Sequence, residues 1–120
     1  MGLDTTHNAW HGPYSSFNEF RIRLANSIGI DLKEYIGYSF KGTKDEALID
    51  HPLMPLFNHS DCDGELTPDE CKQIAEGLDM VLKASKLPST VDEIWFAEKI
   101  VKFRDGCLLA YSKKEILEFA

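Results

Sequence analysis

The segment His59–Glu70, HSDCDGELTPDE, alternates oxygen-bearing side chains with other residues around one glycine. The calcium loop of an EF-hand has this pattern, with oxygen ligands at alternate positions of a twelve-residue turn, glycine at the sixth and a bidentate glutamate at the twelfth. With Gly64 as the sixth residue, Asp61 and Asp63 fall at the third and fifth positions. The spacing therefore predicts a loop that binds a divalent metal ion and opens into a helix. The predicted ligands are His59, Asp61, Asp63, the backbone carbonyl of Glu65, and Glu70.

The first position of this loop departs from the calcium pattern. It holds His59 where an aspartate is usual, and an imidazole suits transition metals better than calcium. The ion is expected to be calcium if oxygen atoms alone bind it, and zinc or manganese if histidines take part. Cys62 discriminates between the metals, because a thiolate can join a zinc site and would point away from an oxygen cage. Two readings without a metal stay open: Asp61 and Asp63 form Asx turns, and Glu70 serves only as a helix cap.

A second polar cluster lies near the N-terminus, where His7 and His11 are separated by three residues. If this segment is helical, both imidazoles lie on one face and can hold zinc. Asn8 stands where a zinc metalloprotease has its glutamate, so the spacing does not indicate a protease. The alternative is that His7 and Trp10 pack in the core, with their ring nitrogens bonded to the backbone.

The two clusters form one mixed nitrogen and oxygen site if the fold brings them together. Such a site binds zinc, manganese or iron and activates water, which predicts a hydrolase of phosphoester or nucleotide substrates with Glu65 or His59 as general base. Against this hypothesis, the sequence lacks a glycine-rich phosphate cradle, and its candidate phosphate-binding cations are scattered. The ligands of the joint site would be His7, His11, His59, Asp61 and Asp63, and the scattered cations are Arg21, Arg23 and Lys41.

Two stretches of the chain, GLDTTHNAWHGPYSSFNEFR and NHSDCDGELTPDEC, resemble a family of small bacterial, prophage and bacteriophage proteins without an assigned function. That family pairs a GLDxxHxxWHGxYSxF start with an HSDCDGE loop. The resemblance implies a phage-type protein of the host cytoplasm that acts in host takeover or anti-defence, through a host protein or a small ligand such as a nucleotide signal. It also implies that these residues belong to one shared design: His7, Trp10, His11, Tyr14, His59, Asp61, Cys62, Asp63, Gly64 and Glu65.

The composition restricts the class of protein. A chain of 120 residues, 43% of them hydrophobic, fits one domain, 1–120. Its formal charge of −7 disfavours nucleic acids and favours cations and basic protein surfaces. No apolar stretch is long enough to span a membrane, and Gly2 lacks the basic context of a lipidation signal. Cys71 and Cys107 fall on apolar helical stripes and are predicted core residues. Three cysteines and no secretion signal indicate the cytoplasm.

Helix signals predict how these residues are positioned. Three capping boxes, Ser16–Glu19, Thr67–Glu70 and Thr90–Glu93, mark the starts of three helices, and Gly29 ends the first. The third of these helices is apolar over much of its girth and is expected to be central.

A short fourth helix is expected from Asp50-His51-Pro52 into Asn58, whereas residues 31–50 give no clear pattern. The tail EILEFA can pair as a strand with the GLD segment near the N-terminus. The predicted fold is a mostly α, single-domain helical bundle with an EF-hand-like loop and a short β ribbon of the termini.

Three hypotheses for function follow. In the first, the chain is a metal-binding interaction module, whose structural ion holds the N-terminal segment on the loop while another surface binds a host protein or small ligand. The second is the metal-dependent hydrolase, and the third is a binding protein without a metal. EF-hand loops generally work in pairs and this chain has one, so low metal affinity or a homodimer is expected.

Overall fold

Helices make up most of the part of the chain that the structure describes. The computed structural model describes residues 2–35, 38, 42–45, 49–59, 64–84 and 87–119. The helices in these ranges are α1 (Tyr14–Ser27), α2 (Met54–Phe57), α3 (Pro68–Ala84) and α4 (Val91–Lys113). The predicted mostly α class is therefore confirmed. None of the helices in the described part of the chain is long and apolar enough to cross a membrane.

Both long helices begin at predicted capping boxes. Thr67 Oγ1 accepts a hydrogen bond from the Glu70 amide at 3.2 Å, and Glu70 Oε1 accepts one from the Thr67 amide at 2.9 Å. Thr90 Oγ1 accepts from the Glu93 amide at 3.1 Å. In the Thr90–Glu93 box the Glu93 carboxylate accepts from Ser89 Oγ at 3.3 Å, whereas in the Thr67–Glu70 box the glutamate accepts from the threonine amide.

The first helix starts earlier than its capping signal predicts. The chain enters α1 directly from Pro13, so the Ser16–Glu19 box lies inside the helix and does not cap it. The predicted end is confirmed, because Gly29 has a φ of 83° and the Ile30 amide returns to the Ala25 carbonyl at 2.8 Å. A glycine fits this left-handed position without steric cost.

Two small antiparallel strand pairs complete the fold. Strand β1 (Gly2–Asp4) pairs with β2 (His11–Pro13), and β3 (Gly64–Leu66) pairs with β4 (Leu117–Phe119). The predicted ribbon of the two termini is therefore wrong: the tail is a strand, but it pairs with the acidic loop, while GLD pairs with the HGP segment after it. A single bridge, Thr5 to Phe119, links the N-terminal segment to β4. Pairing within the N-terminal hairpin is favoured because it closes a much shorter loop.

The core contains a cluster of aromatic side chains among aliphatic ones, and α4 contributes to it from one face. Helix α4 packs against α3 and buries Ile100, Phe103 and Cys107, but Val101 and Leu108 remain exposed on its outer face. Helix α4 was expected to be central, but only one of its faces is buried in the core. Among the described residues, the fully buried aromatic side chains are Trp10, Phe17, Phe20, Phe57 and Phe103.

Gly106 of α4 packs directly against Ala9 of the N-terminal segment. A Cβ added there would lie 2.5 Å from Ala9 Cβ and 2.8 Å from Ala9 Cα. Glycine to alanine in a helix ordinarily stabilises by about 0.5–1 kcal/mol. Here we expect Gly106→Ala to destabilise by about 1–3 kcal/mol, because backbone atoms must move apart. Urea unfolding checks this, with exposed Lys113→Ala as the control, and an unchanged or raised stability of Gly106→Ala would contradict the packing.

The short helix α2 begins later than predicted, at Met54, and ends at Phe57, with Asn58 as its C-terminal cap residue. Before it, His51 Nδ1 accepts a hydrogen bond from the Leu53 amide at 3.1 Å. Burial lowers the pKa of His51, against a smaller opposing effect of Asp50. The neutral ring is therefore the form that the fold prefers.

The lowered pKa of His51 predicts a pH dependence of stability. The unfolded chain binds this proton more readily, so the contribution is complete above the ordinary value of about 6.5 and is lost as the pH falls through the folded-state pKa. His51→Asn keeps an acceptor for the Leu53 amide and does not titrate. We expect its melting temperature to fall less on acidification than that of the wild type. Parallel acid-side slopes for the two proteins would contradict this role.

Candidate functional site

The acidic loop begins at His59, whose ring lies between the loop and the C-terminal strand. His59 Nε2 donates to the Glu65 carbonyl at 3.1 Å, so in the neutral ring the lone pair is on Nδ1. The ring also packs on Phe119, with 4.1 Å between centroids. The first and seventh positions of the predicted loop are thus in direct contact.

The last residues of the predicted loop, from Gly64 onward, are described by the structure. Gly64 has a φ of 105°, and a Cβ there would lie 3.2 Å from the His59 ring, so glycine is needed for both conformation and space. Glu65 is exposed, and the Glu70 carboxylate caps α3. Three predicted site residues, Asp61, Cys62 and Asp63, lie outside the described residues.

The N-terminal histidines do not lie on one helical face. His7 belongs to a short 3₁₀ turn, Thr6–Asn8, in which His7 and Asn8 both have positive φ, and His11 begins β2. The helical condition for the shared zinc pair is therefore not met. Left-handed backbone at a residue other than glycine costs roughly 1–3 kcal/mol and must be held by surrounding contacts.

A hydrogen-bond chain holds this turn against the C-terminal segment. The Glu118 amide donates to Thr6 Oγ1 at 2.9 Å, and the Thr6 hydroxyl lies 2.8 Å from His7 Nδ1. His7 Nε2 in turn donates to Glu115 Oε1 at 3.0 Å. Two of these contacts fasten residues 6 and 7 to residues 118 and 115, and the third joins Thr6 to His7. Sequence reasoning missed Glu115 and Glu118, because they are far from His7 along the chain.

His11 of β2 forms hydrogen bonds within the β1–β2 hairpin. Its Nδ1 lies 2.9 Å from Asp4 Oδ1, and its Nε2 lies 2.7 Å from Asn8 Oδ1. Because the acceptor on one side is a carboxylate, Nδ1 is the donor, and the Asn8 amide orients to suit the other nitrogen. His7 and His11 thus engage different partners.

Trp10 and Tyr14, the two aromatic residues of the N-terminal motif, differ in how deeply they are buried. Trp10 is 1% exposed and packs in the core, as the alternative reading expects, but among the described residues its Nε1 has no backbone partner. Lys99 Nζ lies 4.9 Å from the centre of the indole ring, close enough for a cation–π contact. Tyr14 is the half-buried first residue of α1.

Arg21 links α1 to the entrance of the acidic loop. The side chain is only 3% exposed, and its guanidinium donates to the His59 carbonyl at 2.5 Å and to the Leu56 carbonyl at 3.3 Å. It also bonds Asn18 and lies 4.7 Å from the centre of the Phe17 ring. A signal for this role exists in the sequence, because Arg21 falls one helical turn after Phe17 on the apolar stripe of α1.

Cys71 and Cys107 confirm the prediction that they are core residues. Both are buried free thiols, and they contact each other between α3 and α4. The hydrogen bond with Cys71 and burial both raise the pKa of Cys107 far above its ordinary value. This thiol therefore stays protonated and unreactive, which fits a packing role.

Strand β4 is where the loop and the N-terminal motif meet. On one side it pairs with β3, and on the other Thr5 and Thr6 bond to Phe119 and Glu118. No cluster of three or more histidine, cysteine or carboxylate side chains able to hold a metal lies among the residues that the structure describes, a set without Asp61 and Asp63. The structure thus places the two motifs on opposite sides of one short strand.

Comparison of the chain with protein-family models, with curated proteins and with solved structures gives no match. The likeness of its two motifs to phage-type proteins stays a prediction.

Replacing Arg21 tests how firmly the loop entrance is held. Arg21→Met keeps the apolar contacts but removes the donors to the His59 and Leu56 carbonyls, so we expect a loss of about 3 kcal/mol in unfolding free energy. Arg23→Met is the matched control. Arg23 pairs with the exposed Asp92 at 2.9 Å, and such surface pairs contribute about 0–1 kcal/mol. Equal effects of the two substitutions in urea unfolding would contradict the role of Arg21.

Proposed function

We propose that this chain is a small metal-binding interaction module of phage type, in which a divalent ion in the loop His59–Glu70 stabilises a surface for a host protein or small ligand. The observation that carries the proposal is the contact between His59 and the Glu65 carbonyl, 3.1 Å. These residues occupy the first and seventh positions, both of which supply ligands in an EF-hand loop. Their contact supports a closed loop around the alternating acidic positions between them.

The local backbone supports the same register. Gly64 has the positive φ expected of the sixth position, β3 covers the seventh and eighth, and α3 follows directly after Thr67. In paired EF-hands a second loop lies against this short strand; here β4 of the same chain lies there. A strand from the chain itself therefore gives a physical reason why a single loop suffices.

We favour a structural ion over a catalytic one because of the contacts that position the loop. Arg21 and Phe119 contact His59 at the start of the loop, and the β3–β4 pair holds its last residues, so a bound ion would add to contacts that already position both ends of the loop. The metal would be calcium with oxygen ligands, or zinc or manganese if His59 turns Nδ1 toward it and Cys62 joins.

The hydrolase stays the alternative. It needs His7 and His11 as ligands, together with Asp61 and Asp63. In the described structure His7 bonds Thr6 and Glu115, and His11 bonds Asp4 and Asn8. Both rings would have to exchange these partners for a metal, so we favour the interaction module.

Metal removal tests the proposal. Melting temperatures of the full chain are measured with EDTA, with calcium and with zinc, together with elemental analysis of protein purified without chelator. A bound ion stabilises the folded state by about 2.7 kcal/mol at a hundredfold excess over its Kd. We expect one of the two metals to raise the melting temperature, and Asp61→Asn with Asp63→Asn to abolish the increase.

Asp45→Asn is the matched control, since it makes the same chemical change outside the loop. A metal effect retained by the double variant would move the site elsewhere. No bound metal and no response to EDTA would reject the proposal and leave HSDCDGEL as turn chemistry. Nucleotide hydrolysis that disappears in the double variant, with stability kept, would select the hydrolase.

A further inference from the structure

The turn Thr6–Asn8 brings a hydroxyl, an imidazole and a carboxylate into one row. Thr6 Oγ1 lies 2.8 Å from His7 Nδ1, and His7 Nε2 lies 3.0 Å from Glu115 Oε1. Both distances fall within the range of about 2.6–3.2 Å that a nucleophile keeps from its base. A hydroxyl bonded to an imidazole that a third group orients is the arrangement of an activated nucleophile.

The positions of the protons in this row follow from the bonding partners. A carboxylate can only accept, so the neutral ring of His7 carries its proton on Nε2 and donates it to Glu115. The lone pair is then on Nδ1, where it accepts from the Thr6 hydroxyl. The two ring nitrogens have exchanged places relative to a serine protease, but each role has its atom. The ring is therefore in the tautomer that a general base for Thr6 requires.

The bond between Thr6 and His7 has no part in holding the termini together. It joins neighbouring residues, whereas the contacts of Glu118 with Thr6 and of Glu115 with His7 link distant parts of the chain. The His7 ring meets the preceding hydroxyl from a left-handed backbone, with φ of 60° and ψ of 17°. Such backbone costs about 1–3 kcal/mol and is concentrated at functional sites. The turn thus holds a base against a hydroxyl at an energetic cost.

The backbone amide of Glu118 is a donor aimed at the same hydroxyl oxygen. It donates to Thr6 Oγ1 at 2.9 Å. When the hydroxyl gives up its proton, negative charge develops on Oγ1, and a donor that is already in place stabilises that charge. Strand β4 fixes this amide, since Glu118 lies in register with Glu65 of β3.

Exposure and charge indicate the class of substrate. Thr6 is exposed, so an electrophile can reach its hydroxyl, whereas the His7 side chain is only 11% exposed and keeps its partners. Glu115 and Glu118 are both exposed beside the hydroxyl, and the chain carries a formal charge of −7. These charges repel phosphoesters and other anions. A neutral carboxylic ester is the electrophile that this surface admits.

We propose that Thr6 is a nucleophile for neutral carboxylic esters, with His7 as general base and Glu115 as the positioning residue of the imidazole. Thr6 Oγ1 attacks the acyl carbon while its proton passes to His7 Nδ1. The ester C–O bond then breaks, and the leaving alcohol takes that proton, which leaves an acyl group on Thr6. Water next attacks the acyl carbon through the same base, and the acid departs as the Thr6 hydroxyl is restored. The activity goes beyond the proposed function and needs no metal.

The test measures hydrolysis of p-nitrophenyl acetate by the full chain in the presence of EDTA. We expect Thr6→Ser to retain the protein-dependent rate and Thr6→Val to abolish it. His7→Asn suits the left-handed position and should lower the rate by about a hundredfold, since general base catalysis contributes about 10²–10⁴-fold. Glu115→Gln keeps a hydrogen-bond partner but does not fix the tautomer, so we expect a loss of at least about tenfold at an unchanged melting temperature.

Covalent labelling identifies the reacting atom in the wild-type chain. An alkyl fluorophosphonate modifies activated hydroxyls, and mass spectrometry of the peptides locates the adduct. We expect the adduct on Thr6, with labelling slowed in His7→Asn and in Glu115→Gln. This result does not depend on whether Thr6→Val folds, and a hydroxyl that only fastens the turn would not be labelled.

His11→Asn is the matched control, since His11 bonds Asp4 and Asn8 and has neither in common with the proposed row. It should keep the wild-type rate. Equal rates for the wild type and Thr6→Val, equal losses in His7→Asn and His11→Asn, or an adduct anywhere but on Thr6 would each overturn the proposal. Hydrolysis that EDTA abolishes would overturn it in favour of the metal-dependent hydrolase. Because the assay contains EDTA, its result is independent of whether the metal proposal holds.

Discussion

The position of Phe119 determines how the two ends of this chain are joined. Its ring packs against Phe17 and Phe103 in the core and lies 4.1 Å from His59, centroid to centroid. Its backbone pairs with Gly64 and bridges to Thr5. Burial of one aromatic ring thus fixes a three-residue strand that could not be stable alone. The loop and the N-terminal turn are both built onto that strand.

Arg21 provides the second constraint, and it has an electrostatic cost. A buried guanidinium loses its hydration, so it is tolerated where several acceptors and aromatic faces surround it. The carbonyls of Leu56 and His59 supply acceptors, and Phe17 and Tyr38 supply ring faces at 4.7 and 4.9 Å. The same contacts satisfy carbonyls at the end of α2, where a helix has no partners of its own. One cation therefore serves both the helix end and the loop entrance.

The arrangement separates two chemical environments along α3 and α4. At one end, β3 at the end of the acidic loop pairs with β4, and Thr6, His7 and Glu115 form polar contacts beside that pair. At the other end, the connection between the helices exposes Leu87 and Val91 beside an apolar hollow. Because Gly106 lets α4 approach Ala9 closely, the helix pair is held firmly against the hairpin. Helices α3 and α4 pack against each other and link these two ends of the molecule.

The sequence by itself determined the local features. The box Thr67–Glu70, the stop at Gly29 and the bend at Gly64 were predictable because each depends on hydrogen bonds or φ values within a few residues. The start of α1 was not, since Pro13 and the preceding strand override the Ser16–Glu19 box. Only the tertiary structure decided that the tail pairs with the loop, that His7 meets Glu115 and that Arg21 is buried. Such contacts join residues far apart in the chain, and their free energy comes from burial in one shared core, which no local pattern records.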